Sequence, residues 1–133
     1  MAEVLLGDRL RALSFEAQVE SAGIAALTGH KVDPAVLDLL GLRGLSLKQH
    51  RARQLTPELI RSFELILVME AGQQRAVEAI DSSARGRVHR LGRFGDFDVP
   101  DPYRRGRGAF EQALALIEQG IGDFEKAFWS KRR

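Results

Sequence analysis

Between Asp96 and Phe110 the chain reads DFDVPDPYRRGRGAF, placing three aspartates, two prolines, one tyrosine and three arginines in one short stretch. A carboxylic acid on such a corner can give a proton to the leaving oxygen of an ester, and nearby guanidiniums attract negatively charged groups. Asp101 is the candidate acid. The plain alternative is that Asp101 and Pro102 simply turn the chain, because an Asp side chain bonds its own backbone and Pro fixes φ. Taken alone, these residues favour the turn, with Tyr103 as a half-buried packing residue. Arg104, Arg105 and Arg107 then form a solvated rim rather than an anion site, and Asp96 and Asp98 are solvated loop acids.

Other chemistries are narrowed by what the chain contains. Its 133 residues include no cysteine, which removes disulfides, thiolate metal sites and any thiol nucleophile from this stretch of polypeptide. His30, His50 and His89 are widely spaced and show no ligand pattern, so neither a metal nor a cofactor is expected. Lysine and arginine number 20 against 18 acids, a net charge of +2, and no basic stripe interleaves with aromatics. Nucleic acid is therefore not an expected partner. No apolar run reaches the length of a membrane span, and the first residues lack the basic-then-apolar pattern of a secretory signal. The expectation is a cytoplasmic protein without membrane insertion.

The elements that must position Asp101 are legible from periodicity. With 44% hydrophobic residues, the chain is expected to form one domain over 1–133 around a single core. Met1 to Leu13 reads as a helix with Leu6, Leu10 and Leu13 on one face, and QVESAG (18–23) as a short strand ending at Gly23. Asp33-Pro34 and Thr56-Pro57 are helix starts; Val36, Leu37 and Leu40 face inward in the first helix, which Gly41 and Gly44 stop. LILVM (65–69) is apolar throughout, as suits a strand covered on both faces. Gln73 to Ile80 reads as a helix and RVHRL (87–91) as another short strand. Phe110, Ala113, Leu114, Ile117, Ile121, Phe124 and Phe128 keep helical spacing, so one stripe is expected to be buried. Gly120 and Gly122 should weaken that helix, each by about 1 kcal/mol relative to alanine. Helices alternating with short strands indicate an α/β sandwich with a mainly parallel sheet.

Taken in series, VESAG, the DP at Asp33, HRARQLT, LILVME and VPDPYRRGRGAFEQALALIEQG resemble the low-molecular-weight protein tyrosine phosphatases, and among them the bacterial branch that works opposite the tyrosine kinases of exopolysaccharide export. The resemblance covers nearly the whole chain, in order. It implies a three-layer sandwich with a short, mainly parallel sheet flanked by helices. It also implies a site in which a thiolate attacks phosphorus, loop N–H groups and an arginine hold the phosphoryl oxygens, and an aspartic acid protonates the leaving phenolate. Asp101 matches that acid. Tyr103 would wall the substrate ring, with Ile24 and Leu27 on the opposite rim, and His50 and Ser21 would support the catalytic loop. Ile24 stands where many members carry threonine, and Gln73 where histidine is frequent.

The family's loop is a cysteine, five residues and an arginine, and Met1 aligns just past it. The expectation is thus a truncated phosphatase-like domain, without the first, central strand and catalytically incompetent as it stands. Burying the side chains of such a strand contributes about 1.5–3 kcal/mol each, so a gap between 19–21 and 65–69 would need cover. Three routes are open: Val19–Ser21 sliding over to pair with Leu65–Met69, a neighbouring chain covering the edge in self-association, or further residues beyond these. Two functions compete. One is a tyrosine phosphatase by descent; the other is a non-catalytic protein that binds a phosphotyrosine protein or a tyrosine kinase tail.

Overall fold

A computed structural model of the protein describes residues 2–14, 17–23, 34–42, 53–102 and 106–129. The elements are α1 (Ala2–Ala12), α2 (Pro34–Gly41), α3 (Pro57–Arg61), β1 (Ile66–Val68), α4 (Ala71–Ile80), a 3-10 turn (Ser82–Ala84), β2 (Val88–Arg90), α5 (Arg107–Phe124) and a π turn (Glu125–Trp129). The helix starts follow local chemistry. Thr56 caps α3 by accepting from the Leu59 N–H at 3.2 Å, with Pro57 behind it. Gln73 caps α4 from inside: its Oε1 accepts the N–H groups of Met69 and Glu70 at 2.9 and 3.0 Å.

β1 and β2 pair in parallel, Ile66 opposite Val88 and Val68 opposite Arg90, with α4 as the crossover between them. Alternation along β1 divides the core. Ile66 and Val68 pack with Ile60, Val77, Ala84 and Val88 under α3 and α4. Leu67 and Met69 point the other way, onto the cluster that α5 builds with α1 and α2, including Leu5, Leu40, Leu114 and Phe124. The result is the helix–sheet–helix sandwich that the apolar run predicts. Leu65 is nevertheless exposed and Leu67 only half-buried, because among the described residues β1 has a single strand neighbour, β2.

Several sequence expectations are corrected. QVESAG forms no strand: Gly23 makes one parallel bridge to Gln54, donating to the Arg53 carbonyl at 2.9 Å and accepting from Leu55 at 2.8 Å. A ladder needs a continuous partner, and among the described residues only Gly23 of this segment has one. Val19–Ser21 therefore does not slide over to β1. In α1 the buried residues are Leu5 and Leu10, whereas Leu6, and Leu13 just past its end, are half-buried. Leu40 is buried as expected; Asp33 and Gly44 lie outside the described residues. Phe128 leaves the buried stripe and is 57% exposed, because the i→i+5 turn from Glu125 holds more residues per turn than an α-helix and rotates it outward. Gly120 is a contact rather than a defect, since a Cβ there would lie 2.6 Å from Leu91 Cγ and 2.8 Å from its carbonyl oxygen.

Candidate active site

Asp101 is carried by a loop that leaves the carboxyl end of β2. In open α/β sheets that end is where ligands bind, because strands and helix N-termini converge there. The loop is fastened at both ends. Leu91 donates to the Val68 carbonyl at 2.8 Å, and Val99 donates to the Met69 carbonyl at 2.8 Å, so both ends are sewn to the exit of β1. The side chains of Leu91 and Val99 are buried against α5. Between these anchors Phe97 folds back over Gly92, donating to its carbonyl at 3.1 Å. A Cβ on Gly92 would stand 2.1 Å from the Phe97 carbonyl oxygen, so only glycine allows this fold-back.

Arg90, the last residue of β2, grips the loop from outside. Its Nη2 donates to Asp96 at 2.8 Å and its Nη1 to Asp98 at 3.0 Å. These bonds, that to Asp96 first, raise the guanidinium's pKa above its ordinary value. Asp96 adopts the left-handed backbone, with φ of 53°, a conformation that Asp tolerates better than most residues. The reading of Asp96 and Asp98 as merely solvated acids is therefore corrected: both remain exposed, yet together they clamp the approach to Asp101. Sequence reasoning missed Arg90 because its partners lie six and eight residues away on a loop without periodicity.

Asp101 itself is exposed and Pro102 half-buried. Ser21, half-buried, donates its hydroxyl to the Glu3 carboxylate in the first turn of α1. The Ser21 carbonyl accepts from Arg53 Nε at 3.1 Å, and Arg53 Nη2 donates to Glu20 at 2.5 Å. Ser21 thus stands beside the head of α1, where the family resemblance puts the exit of the catalytic loop. The Glu20 carboxyl is held below its ordinary range, chiefly by the Arg53 hydrogen bond. Ile24, Leu27, His50 and Tyr103 lie outside the described residues, as do Arg104 and Arg105. Arg107 is not a free anion-binding group, because it donates to Asp38 of α2. Among the described residues no group of three or more His, Asp or Glu side chains is placed to hold a metal ion. None of the described helices is long and apolar enough to cross a membrane.

A parallel βαβ unit sandwiched by helices, with a fastened loop carrying Asp101 at its carboxyl edge, defines the class of α/β sandwich proteins. The sequence profile of the family "Low molecular weight phosphotyrosine protein phosphatase" matches residues 1–133. The chain belongs to this family. Over 121 residues it is 43% identical to the probable low molecular weight protein-tyrosine-phosphatase EpsP of Ralstonia solanacearum, covering 91% of this chain and 81% of that one. It is 38% identical over 110 residues to the low molecular weight protein-tyrosine-phosphatase Wzb of Salmonella typhimurium, covering 82% and 74% of the two chains. The structure of Vibrio vulnificus Wzb in complex with benzylphosphonate matches with a TM-score of 0.87 at 33% identity, over 96% of this chain and 88% of that one.

Proposed function

We propose that these residues carry the proton-donating and substrate-recognising half of a cytoplasmic phosphotyrosine phosphatase site, and that the 133-residue polypeptide alone does not turn over. Asp101 gives its proton to the bridging oxygen as the phosphorus–oxygen bond breaks, so that tyrosine leaves as the neutral phenol. Tyr103, Ile24 and Leu27 flank the ring, while Ser21 and His50 support the loop that holds the phosphoryl group. The phosphoryl group itself must pass to a nucleophile. The single observation that carries the proposal of inactivity is the absence of cysteine from the 133 residues. General acid catalysis contributes roughly a hundred- to ten-thousandfold, which cannot stand in for the missing acceptor.

An intact mass measured together with p-nitrophenyl phosphate hydrolysis tests this. The expected result is the mass of this chain and no hydrolysis above buffer; rapid turnover at that mass overturns the reading. Titration with a phosphotyrosine peptide then separates a silent relic from a binding protein, for which saturation below millimolar concentration is expected. The edge of β1 away from β2, unpaired among the described residues, adds a further expectation, self-association through strand pairing. Light scattering after sizing should give more than the monomer mass at moderate concentration, and a clean monomer would remove that part of the proposal.

A further inference from the structure

The loop that carries Asp101 hangs from a peptide unit that is itself held from behind. Val99 donates to the Met69 carbonyl at 2.8 Å. That carbonyl shares one planar unit with the Glu70 N–H, and the Glu70 N–H donates to Gln73 Oε1 at 3.0 Å. The same oxygen accepts the Met69 N–H at 2.9 Å, so a single half-buried side chain grips the peptide units on both sides of the Met69 Cα. Both partners are donors, which places the oxygen of the amide rather than its nitrogen toward them. A capping box needs only the bond from the N-cap residue, Glu70. The second bond reaches back to Met69, just past Val68 where β1 ends. There the ladder with β2 no longer fixes the chain, and Gln73 fixes it from the first turn of α4.

From Val99 the constraint runs on to Asp101. The chain reads Val99-Pro100-Asp101-Pro102. Each proline fixes its own φ, and the residue before a proline is confined to extended backbone, so these four residues form a stiff arm. Asp101 lies roughly 6 Å along it from Val99, at the rise of an extended proline-rich chain. The root of the arm is set in two ways. The Val99 side chain, 2% exposed, fixes its place in the core under α5, while the bond from the Val99 N–H to Met69 fixes the direction in which it leaves. We infer that Gln73 is a positioning residue for Asp101, aiming the arm by locking the Met69–Glu70 peptide, an assignment that rests on the reading of Asp101 as the proton donor. A peptide held at its N–H presents its carbonyl in one direction; released there, it can rock, and the arm rocks with it.

Magnetic resonance on the isotope-labelled chain tests this directly. Couplings across hydrogen bonds should join the Val99 nitrogen to the Met69 carbonyl carbon, and the Glu70 nitrogen to the side-chain carbonyl carbon of Gln73; absence of either overturns the inference. Gln73→Met keeps the length of the side chain and removes its acceptor. It should weaken the Val99 coupling, speed Val99 amide exchange about three- to tenfold and lower the order parameter of the Asp101 N–H, while the Leu91 amide, bonded to Val68, keeps its protection. Gln73→Glu returns an acceptor at a first-turn position that favours a carboxylate and should restore all three. If Gln73 only caps α4, exchange changes at 71–74 while Val99 and Asp101 stay as in the unaltered chain, and the inference is overturned; equal loss of protection at Leu91 and Val99 overturns it as well. Should Gln73→Met fail to fold by circular dichroism, the two couplings in the unaltered chain and the retained Val99 coupling in Gln73→Glu decide. Titration with a phosphotyrosine peptide keeps the two readings apart. No binding by the unaltered chain removes the phosphatase reading and leaves the Gln73 couplings standing, whereas binding together with an unmoved Asp101 in Gln73→Met removes only the role of Gln73.

Discussion

The loop from Leu91 to Pro102 and the segment from Ala17 to Gly23 both border the candidate site, but different forces hold them. The first is fastened by main-chain bonds from Leu91 and Val99 to the exit of β1, by two buried side chains, and by a glycine over which Phe97 folds. Among the described residues, the second meets the fold through a bridge at Gly23 and through charged contacts, Ser21 with Glu3 and Arg53 with Glu20, in which Arg53 is exposed and Glu20 half-buried. Buried packing and main-chain bonds are insensitive to salt and mild acid, whereas exposed ion pairs are screened and titrate. The side that carries Asp101, the candidate proton donor, is therefore positioned by the fold. The side that the resemblance assigns to loop support is positioned by charge.

The largest test of that contrast removes a buried anchor. Leu91→Ala deletes a fully buried side chain beneath Gly120 and should cost about 2–5 kcal/mol, read as a lower urea midpoint with an unchanged slope; a loss under half a kcal/mol would mean that Leu91 anchors nothing. Gly92→Ala comes next, at about 1–3 kcal/mol of overpacking, because the Phe97 carbonyl must move away; amide exchange of Phe97 should accelerate with it. Arg90→Ala should leave the denaturation midpoint nearly unchanged while speeding exchange at 94–98, and Val99 should stay protected. If Val99 loses protection as well, the Arg90 clamp rather than the main chain holds the loop.

The smallest effect is the pH response of the other region. The carboxyl of Glu20 titrates below its ordinary value of 4.5 when folded, so the folded state binds fewer protons than the unfolded one around and below that value. Its stabilisation is present above that range and fades as pH falls through the lowered value. Exchange at 19–23 should therefore rise during acid titration before exchange at Val99 does, and Glu20→Gln should remove the difference. His89 gives the same sign from the opposite group. Burial first, then the charge of Arg93, push it below its ordinary value of 6.5, so folding loses support as pH falls below about 6.5.

Much of the scaffold is written in local pattern. The apolar run at Leu65–Met69, the Thr56-Pro57 start and the stripe from Phe110 to Phe124 each state an element, because their signals come from residues within a turn or two of one another. Asp101 was singled out for a different reason: the Asp-Pro pair alone favours a turn, and only the order of motifs along the chain makes it a candidate acid. The strand expected at QVESAG fails where the signal is weakest, since a strand exists only with its neighbour. Arg90 was silent, because nothing near it in the chain shows which carboxylates will fold back to it.

The sequence by itself determined the family, the alternating helices and strands, an aspartate on its Asp-Pro corner and the lack of a cysteine among the 133 residues. Only the tertiary structure decided that Asp96 and Asp98 share Arg90, that Arg107 belongs to Asp38, that Gly120 exists for Leu91, and that Phe128 turns outward beside Phe94. The physical reason is one of range. Periodicity and capping act between residues a few positions apart, whereas charge pairing and close approach depend on where distant parts of the chain meet.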